Sequence, residues 1–207
     1  MLAAILAFAG GYSLGSIPFA FVITKLFGLG DIRQVGSGNV GTTNVLRTGN
    51  KLAAALTLIG DVGKGIVAVL IAKQFGDIPA MAAGLGAFTG HIFPVWLNFK
   101  GGKGLATYIG ILAALSFPIA CIVGATWITT ALISRISSVA ALVAAALSPV
   151  YMLIFDRWQY AVGSAILAAL IFVTHRDNIR RLLKGEEPRI GEKKPSASAD
   201  GSSSTSP

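Results

Sequence analysis

Long apolar runs constrain this chain more than any motif it carries. They lie near residues 2–27, 52–72, 78–97, 104–133, 139–155 and 158–174. A helix needs roughly 20 such residues to cross a bilayer core, and fewer where the bilayer thins. Only 13% of the 207 residues are charged and 54% are hydrophobic, whereas a soluble domain carries about 25% charge. The chain therefore reads as an all-α integral membrane protein. The first run, "MLAAILAFAGGYSLGS", resembles a signal peptide with "AFA" as its cleavage site. It lacks a basic leader and stays apolar to Phe27, so it reads as a retained first span.

The fourth run is long for one span and carries "SFP" at 116–118. It is one long helix or two short ones meeting at Pro118, and charge decides between them. With two helices, Lys25, Arg33, Arg47, Lys51, Lys100, Lys103, Arg135 and the basic C-terminal segment share one face of the membrane. Only Lys73 and Arg157 fall on the other. With one helix, Arg135 and the tail move across. The positive-inside rule favours two. The expected topology is seven transmembrane helices, with the N-terminus outside and the C-terminus cytoplasmic. Residues 1–187 form a single membrane domain, and the Ser- and Pro-rich residues 188–207 a disordered cytoplasmic tail.

The net charge of +8 fits anionic headgroups or anionic substrates at the membrane surface, rather than nucleic acid. The one cysteine, Cys121, lies in an apolar run and excludes an intrachain disulfide framework. Ala82, Gly86 and Gly90 recur every four residues, as in close packing between spans.

Three polar segments fall on the cytoplasmic face of this topology. "VGSGNVGTTNVLR" (35–47) contains a G-x-G-x-x-G match but no βαβ unit to make it a dinucleotide fingerprint. It remains a loop of backbone amides and small polar side chains (Ser37, Gly38, Asn39, Thr42, Thr43, Asn44) that ends in Arg47 and is able to wrap an anion. "LNFKGGKGLATY" (97–108) is not a Walker A loop, because Lys103 is followed by Gly104. Gly101, Gly102 and Gly104 permit close backbone approach. A helix start near Leu105 and the Lys103 charge favour phosphate there. In "HRDNIRRLLKGEE" (175–187), His175 and Asn178 share one helical face. Asp61 and Lys64 lie at i and i+3 within the second span, as a structural pair or part of a site. Ser137 and Ser138 precede the sixth span, where serines often cap helices.

These segments, with "GDVGKG" and "GHIFPVWLNFKGGKGLAT", closely resemble those of the bacterial acyl-phosphate-dependent glycerol-3-phosphate acyltransferases, the PlsY family. The resemblance extends to about Glu187. It implies an inner-membrane enzyme with a cytoplasmic active site that moves a fatty acyl group from acyl phosphate to the 1-hydroxyl of glycerol 3-phosphate. The products are lysophosphatidic acid and phosphate. It implies seven spans and no cofactor or metal. Carried over by position, Ser37 and Arg47 match the first functional motif. Gly101, Gly102, Lys103 and Gly104 match the phosphate loop, and His175, Asn178 and Glu187 the third motif. Ser138, or Ser137 beside it, matches a functional serine, and Glu186 competes with Glu187 for the carboxylate. Gly38, Asn39, Thr43, Asn44 and Thr107 join the substrate-binding set. A peripheral enzyme that makes acyl phosphate is an implied partner.

The chemistry suits these residues. Both substrates carry phosphate, so two anion sites are needed close together. Acyl phosphate is already activated, so no covalent acyl-enzyme is required. A His-x₄-Asp dyad is absent, since Trp96 and Arg180 stand five residues past His91 and His175. His175 and a substrate phosphate both remain candidates for the base. A transporter of anionic metabolites or lipids is the alternative reading, though no inverted repeat is evident.

Overall fold

The computed structural model describes residues 1–191, and among them the only regular structure is helical. The order is α1 (Leu2–Gly15), α2 (Phe19–Leu26), α3 (Thr42–Leu46), α4 (Lys51–Lys73), α5 (Asp77–Ile92), α6 (Leu105–Leu115), α7 (Phe117–Ser134), α8 (Ser137–Ile154), α9 (Trp158–Thr174) and α10 (Arg176–Leu183). Single 3₁₀ turns occur at Ile32–Gln34 and Val95–Leu97. Most of the tail expected to be disordered, from residue 192 onward, lies outside the described residues.

The apolar runs become these helices, with three breaks that have local causes. Pro18 interrupts the first run: α1 ends at Gly15 and α2 starts at Phe19. The fourth run is two helices. Ser116 is extended, with φ −158°, and Pro118 sits in the first turn of α7, where its missing N–H costs nothing. The third break lies where the last apolar run meets the polar segment 175–187, and Asn178 stays helical in α10 behind it. The chain bends by 60° between α9 and α10, with His175 at the joint.

Among the described residues, five segments are long and apolar enough to cross a membrane: Leu2–Leu26, Lys51–Lys73, Asp77–Leu97, Phe117–Ser134 and Ser137–Ile154. The bent α9–α10 pair makes a sixth if it is counted as one span. Helix α6, with 11 residues, is about 16 Å long, roughly half of a bilayer core. Leu2, Leu6, Leu132, Ile133, Leu153 and Val162 stand exposed, as lipid-facing side chains do.

Small residues set the helix contacts. A Cβ at Gly11 or Gly15 of α1 would strike the α5 backbone at Ala83 or Ala87. One at Gly86 or Gly90 of α5 would strike α1 at Phe8 or Tyr12. This is the close packing that the four-residue spacing predicts. Gly65 and Gly110 make the same kind of contact between α4 and α6. The larger side chains Phe88, Tyr108, Ile111, Leu112, Ile119, Met152 and Ile171 form one core.

Several polar groups within this core are satisfied in place. Pro149 interrupts the hydrogen bonding of α8 and leaves the Ala145 carbonyl without its helical donor. The Ser148 hydroxyl donates to that carbonyl at 2.7 Å. The Tyr108 hydroxyl sits between the Ser148 and Ser164 hydroxyls. One buried cluster thus joins α6, α8 and α9.

Candidate active site

Four separated stretches meet at one end of the bundle: the 35–47 loop, the 93–104 loop, the turn between α7 and α8, and the α9–α10 joint with the strap that follows it.

The 93–104 loop is built by close contacts. Asn98 and Phe99 both take left-handed conformations, with φ 51° and 61°, each of which costs about 1–3 kcal/mol for a non-glycine residue. The loop then turns back onto the end of α5. The Gly101 N–H donates to the Ile92 carbonyl and the Gly102 N–H to the His91 carbonyl, both at 3.1 Å. A Cβ at Gly101 would strike the His91 carbonyl, and one at Gly102 the His91 ring. Gly104, with φ 91°, caps α6, and a Cβ there would strike the Phe88 ring. The reason for glycine at these positions therefore differs from the expected one. The loop lies tight on its own protein, and the amides of Gly101 and Gly102 are spent internally. The unpaired amides of the first turn of α6 and the Lys103 side chain remain for a ligand.

Lys103 is held at both ends. Its carbonyl accepts from the Thr174 hydroxyl at 3.0 Å. Its Nζ donates to Asn178 Oδ1 at 2.5 Å. Burial draws its pKa below the usual lysine value. Glu187 pulls the other way, while the nearby charges of Arg181 and Arg47 add to the lowering.

The strap returns a carboxylate to the same point. Glu187 Oε1 accepts from Asn178 Nδ2 at 2.5 Å and from the Ser138 hydroxyl at 2.7 Å. Its Oε2 accepts from Arg181 Nε at 2.7 Å. Burial would raise the Glu187 pKa, but these three donors together outweigh it and hold the carboxyl below its ordinary range. Beyond it, the Ile190 N–H donates to the Arg135 carbonyl at 2.7 Å, so part of the expected tail lies against the body.

Geometry separates the two serines and the two glutamates. Ser138 meets the carboxylate, whereas the Ser137 hydroxyl lies 3.4 Å from that of Thr43. Glu187 has a side chain only 6% exposed, whereas Glu186 is exposed.

His175 is buried just past the end of α9. Its Nδ1 lies 2.8 Å from the Ile171 carbonyl, which assigns the ring proton to Nδ1 and leaves Nε2 as an acceptor. Burial lowers its pKa to about 4. The Ile171 carbonyl opposes the shift, Lys103 adds to it, and Glu187 opposes it again.

The 35–47 loop supplies the other wall. Asn44 is a staple rather than a free donor. Its Nδ2 donates to the carbonyls of Ile32 and Val35 at 3.1 and 2.8 Å, and its Oδ1 accepts the Ser37 N–H at 3.2 Å. Gly38, with φ 71°, closes a turn onto the Val35 carbonyl. This leaves Ser37, Thr43 and Arg47 exposed and Asn39 half-buried. Thr107 lies apart: it is fully buried one turn into α6, beside Gly65 of α4.

The geometry brings Lys103, Asn178, Glu187 and Ser138 into one chain of hydrogen bonds, with His175 and Arg47 beside it. Two participants were not among the expected site residues. The sequence spacing puts Arg181, or Leu182, with His175 and Asn178, and the structure pairs Arg181 with Glu187. Thr174 gave no signal in the sequence.

A family model described as "Glycerol-3-phosphate acyltransferase" matches residues 5–185, ending just short of Glu187. A glycerol-3-phosphate acyltransferase of Caulobacter vibrioides (strain NA1000 / CB15N) is 55% identical over 199 residues, covering 94% of this chain and 91% of the relative. One of Cereibacter sphaeroides (strain ATCC 17025 / ATH 2.4.3) is 54% identical over 194 residues, covering 93% and 92%. Two crystal structures of PlsY (YgiH), an integral membrane glycerol 3-phosphate acyltransferase, share the fold. Its glycerol 3-phosphate form is 37% identical, with a TM-score of 0.86, and covers 91% of this chain and 96% of that one. Its lysophosphatidic acid form is 35% identical, with a TM-score of 0.85, and covers 91% and 95%.

Proposed function

Because the chain belongs to the glycerol-3-phosphate acyltransferase family, we propose that it transfers a fatty acyl group from acyl phosphate to the 1-hydroxyl of glycerol 3-phosphate. Lysophosphatidic acid and inorganic phosphate are released. The observation that carries this reading is the convergence of Lys103, Asn178, Ser138 and Glu187 beside the Arg47 loop, at one end of an apolar bundle.

Each residue then has a task. Lys103 and the first amides of α6 receive a phosphate. Arg47, Ser37 and the neighbouring loop groups Gly38, Asn39 and Thr43 receive the second. Glu187, fixed by Arg181, orients Asn178 and Ser138 toward the glycerol moiety. The glycerol hydroxyl attacks the acyl carbonyl carbon, the bond from that carbon to the phosphate oxygen breaks, and charge grows on the leaving phosphate beside Lys103. A histidine with a pKa near 4 is a weak base at neutral pH. His175 Nε2 therefore accepts a hydrogen bond and aligns the hydroxyl, while a substrate phosphate oxygen takes the proton.

The same reading places seven crossings in the inner membrane, with the N-terminus outside and the site on the cytoplasmic side. The apolar runs and charge asymmetry support that topology. Phe93, Trp96 and Phe99 stand exposed on the rim of the 93–104 loop, as aromatic side chains do at a membrane interface. A peripheral enzyme that supplies acyl phosphate would meet this face.

The test is phosphate release by the purified protein from acyl phosphate, with and without glycerol 3-phosphate. Release that depends on glycerol 3-phosphate and is matched by lysophosphatidic acid is expected. No such release, or release without acyl transfer, overturns the reading.

A further inference from the structure

Beneath the glycine-rich loop lies a charged cluster that the reaction does not use. Asp61 and Lys64 form an ion pair at 2.8 Å, with side chains 3% and 2% exposed. Asp61 also faces His91 Nδ1 at 3.5 Å. Lys64 Nζ donates to the Ile17 carbonyl at 3.0 Å, in the break between α1 and α2, and lies 5.8 Å from the Phe19 ring centroid. The three polar side chains border a small cavity with Val40, Gly101 and Gly102.

Charge within a membrane bundle is costly, and apolar side chains of equal volume would pack as well or better. The cluster ties three parts of the fold to one another. Lys64 holds the broken first span, Asp61 holds Lys64 and His91, and His91 holds the loop. That last link is double, through the Gly102 N–H bond to the His91 carbonyl and through the ring packed on Gly102. Gly102 immediately precedes Lys103, whose ammonium meets Asn178.

We propose that Asp61, Lys64 and His91 are positioning residues for the phosphate loop, setting from beneath the height and direction at which Lys103 meets Asn178. What Lys103 does there rests on the acyltransferase reading, but the mechanical link does not.

The experiment is a pair of double-mutant cycles on the full-length protein in detergent. It reads kcat/KM for acyl phosphate, the Kd of inorganic phosphate by calorimetry, and Tm. Replacing the ion pair together, Asp61→Asn with Lys64→Met, avoids leaving one charge buried alone. It should lower kcat/KM on the order of 10- to 100-fold, the scale of a displaced catalytic group. In a Lys103→Ala background the same replacement should cost less than about twofold, because its effect passes through Lys103. Equal losses in both backgrounds would overturn the proposal, since general destabilisation does not depend on Lys103.

The second cycle needs no change in α4. Gly102→Ala drives a methyl into the His91 ring. His91→Asn keeps a donor toward Asp61 and withdraws the ring, so it should recover about tenfold or more of the activity that Gly102→Ala loses. Failure to recover overturns the proposal, and this cycle decides alone if the ion-pair variant does not fold. A wild-type protein that binds inorganic phosphate but does not transfer acyl groups would sink the functional reading only. Phosphate Kd in the same cycles would then judge the loop.

Discussion

Lys103 and Glu187 carry opposite charges into one site, yet they are joined through a single amide: Asn178 Oδ1 faces the ammonium and Asn178 Nδ2 faces the carboxylate. A direct ion pair would neutralise the cation that a phosphate requires. The interposed amide keeps Lys103 oriented and its charge available.

Asn178→Asp should therefore be more damaging than Asn178→Ala. The aspartate would capture Lys103 as an ion pair and oppose Glu187. Losing the bond that orients Lys103 costs about 1.5–3 kcal/mol, the worth of one hydrogen bond to a charged group, so Asn178→Ala should lower kcat/KM by roughly 10- to 100-fold, and Asn178→Asp by more. Steady-state kinetics on matched folded preparations check the order, and an active Asn178→Asp enzyme would contradict it.

Lys103→Ala should lower kcat on the order of 10²–10³-fold if its contact with the leaving phosphate resembles that of an oxyanion donor. Lys100, exposed at the outer edge of the loop, should tolerate alanine with little change. Equal, small effects of the two substitutions would reduce the loop to a basic interfacial turn.

His175 supplies a pH test. Its pKa is lowered from 6.5 to about 4, so its contribution to stability is fully present above about pH 6.5 and is lost as pH falls through 4. Between roughly pH 5.5 and 8 the ring stays neutral. A step in the pH–rate profile near 6 would belong to a substrate phosphate, whose second pKa is about 6. His175→Gln should lower kcat and leave that step in place. If the step disappears with the histidine, His175 is the base.

The strap can be cut on either side of Glu187. Removing residues 192–207 should leave kcat/KM within about tenfold, which is ~1.4 kcal/mol, because Glu187 and the Ile190–Arg135 bond remain. Removing residues 186–207 strips the carboxylate from Asn178, Ser138 and Arg181 and should cost about 10²-fold or more. Truncations assayed side by side check both.

The break at Pro18 went unread inside the 2–27 run, but the other elements were legible because hydropathy runs and the proline at 118 act locally. So were the two glycine-rich loops and the His175–Asn178 face. What stayed hidden depends on phase and contact. Ser137 and Ser138 differ only in where the first turn of α8 points them, and Glu186 and Glu187 in how the strap enters. Asn44 has the composition of a ligand donor, yet its hydrogen bonds hold its own loop. Gly101 and Gly102 looked like openings for a ligand and are instead seats against His91. The partnership of Asp61 with His91 bridges 30 residues, and no spacing rule reaches that far.

The glycines at which α1 and α5 touch have a consequence for how the protein is made. Gly11 and Gly15 meet a helix that begins more than sixty residues later, so during synthesis the first span enters the bilayer long before its partner exists. It must wait among lipids, with α4 already inserted, until α5 arrives. A methyl at any of the four positions would leave insertion untouched and block only this later docking. Such a variant would reach the membrane at normal levels and then be cleared as an unassembled chain.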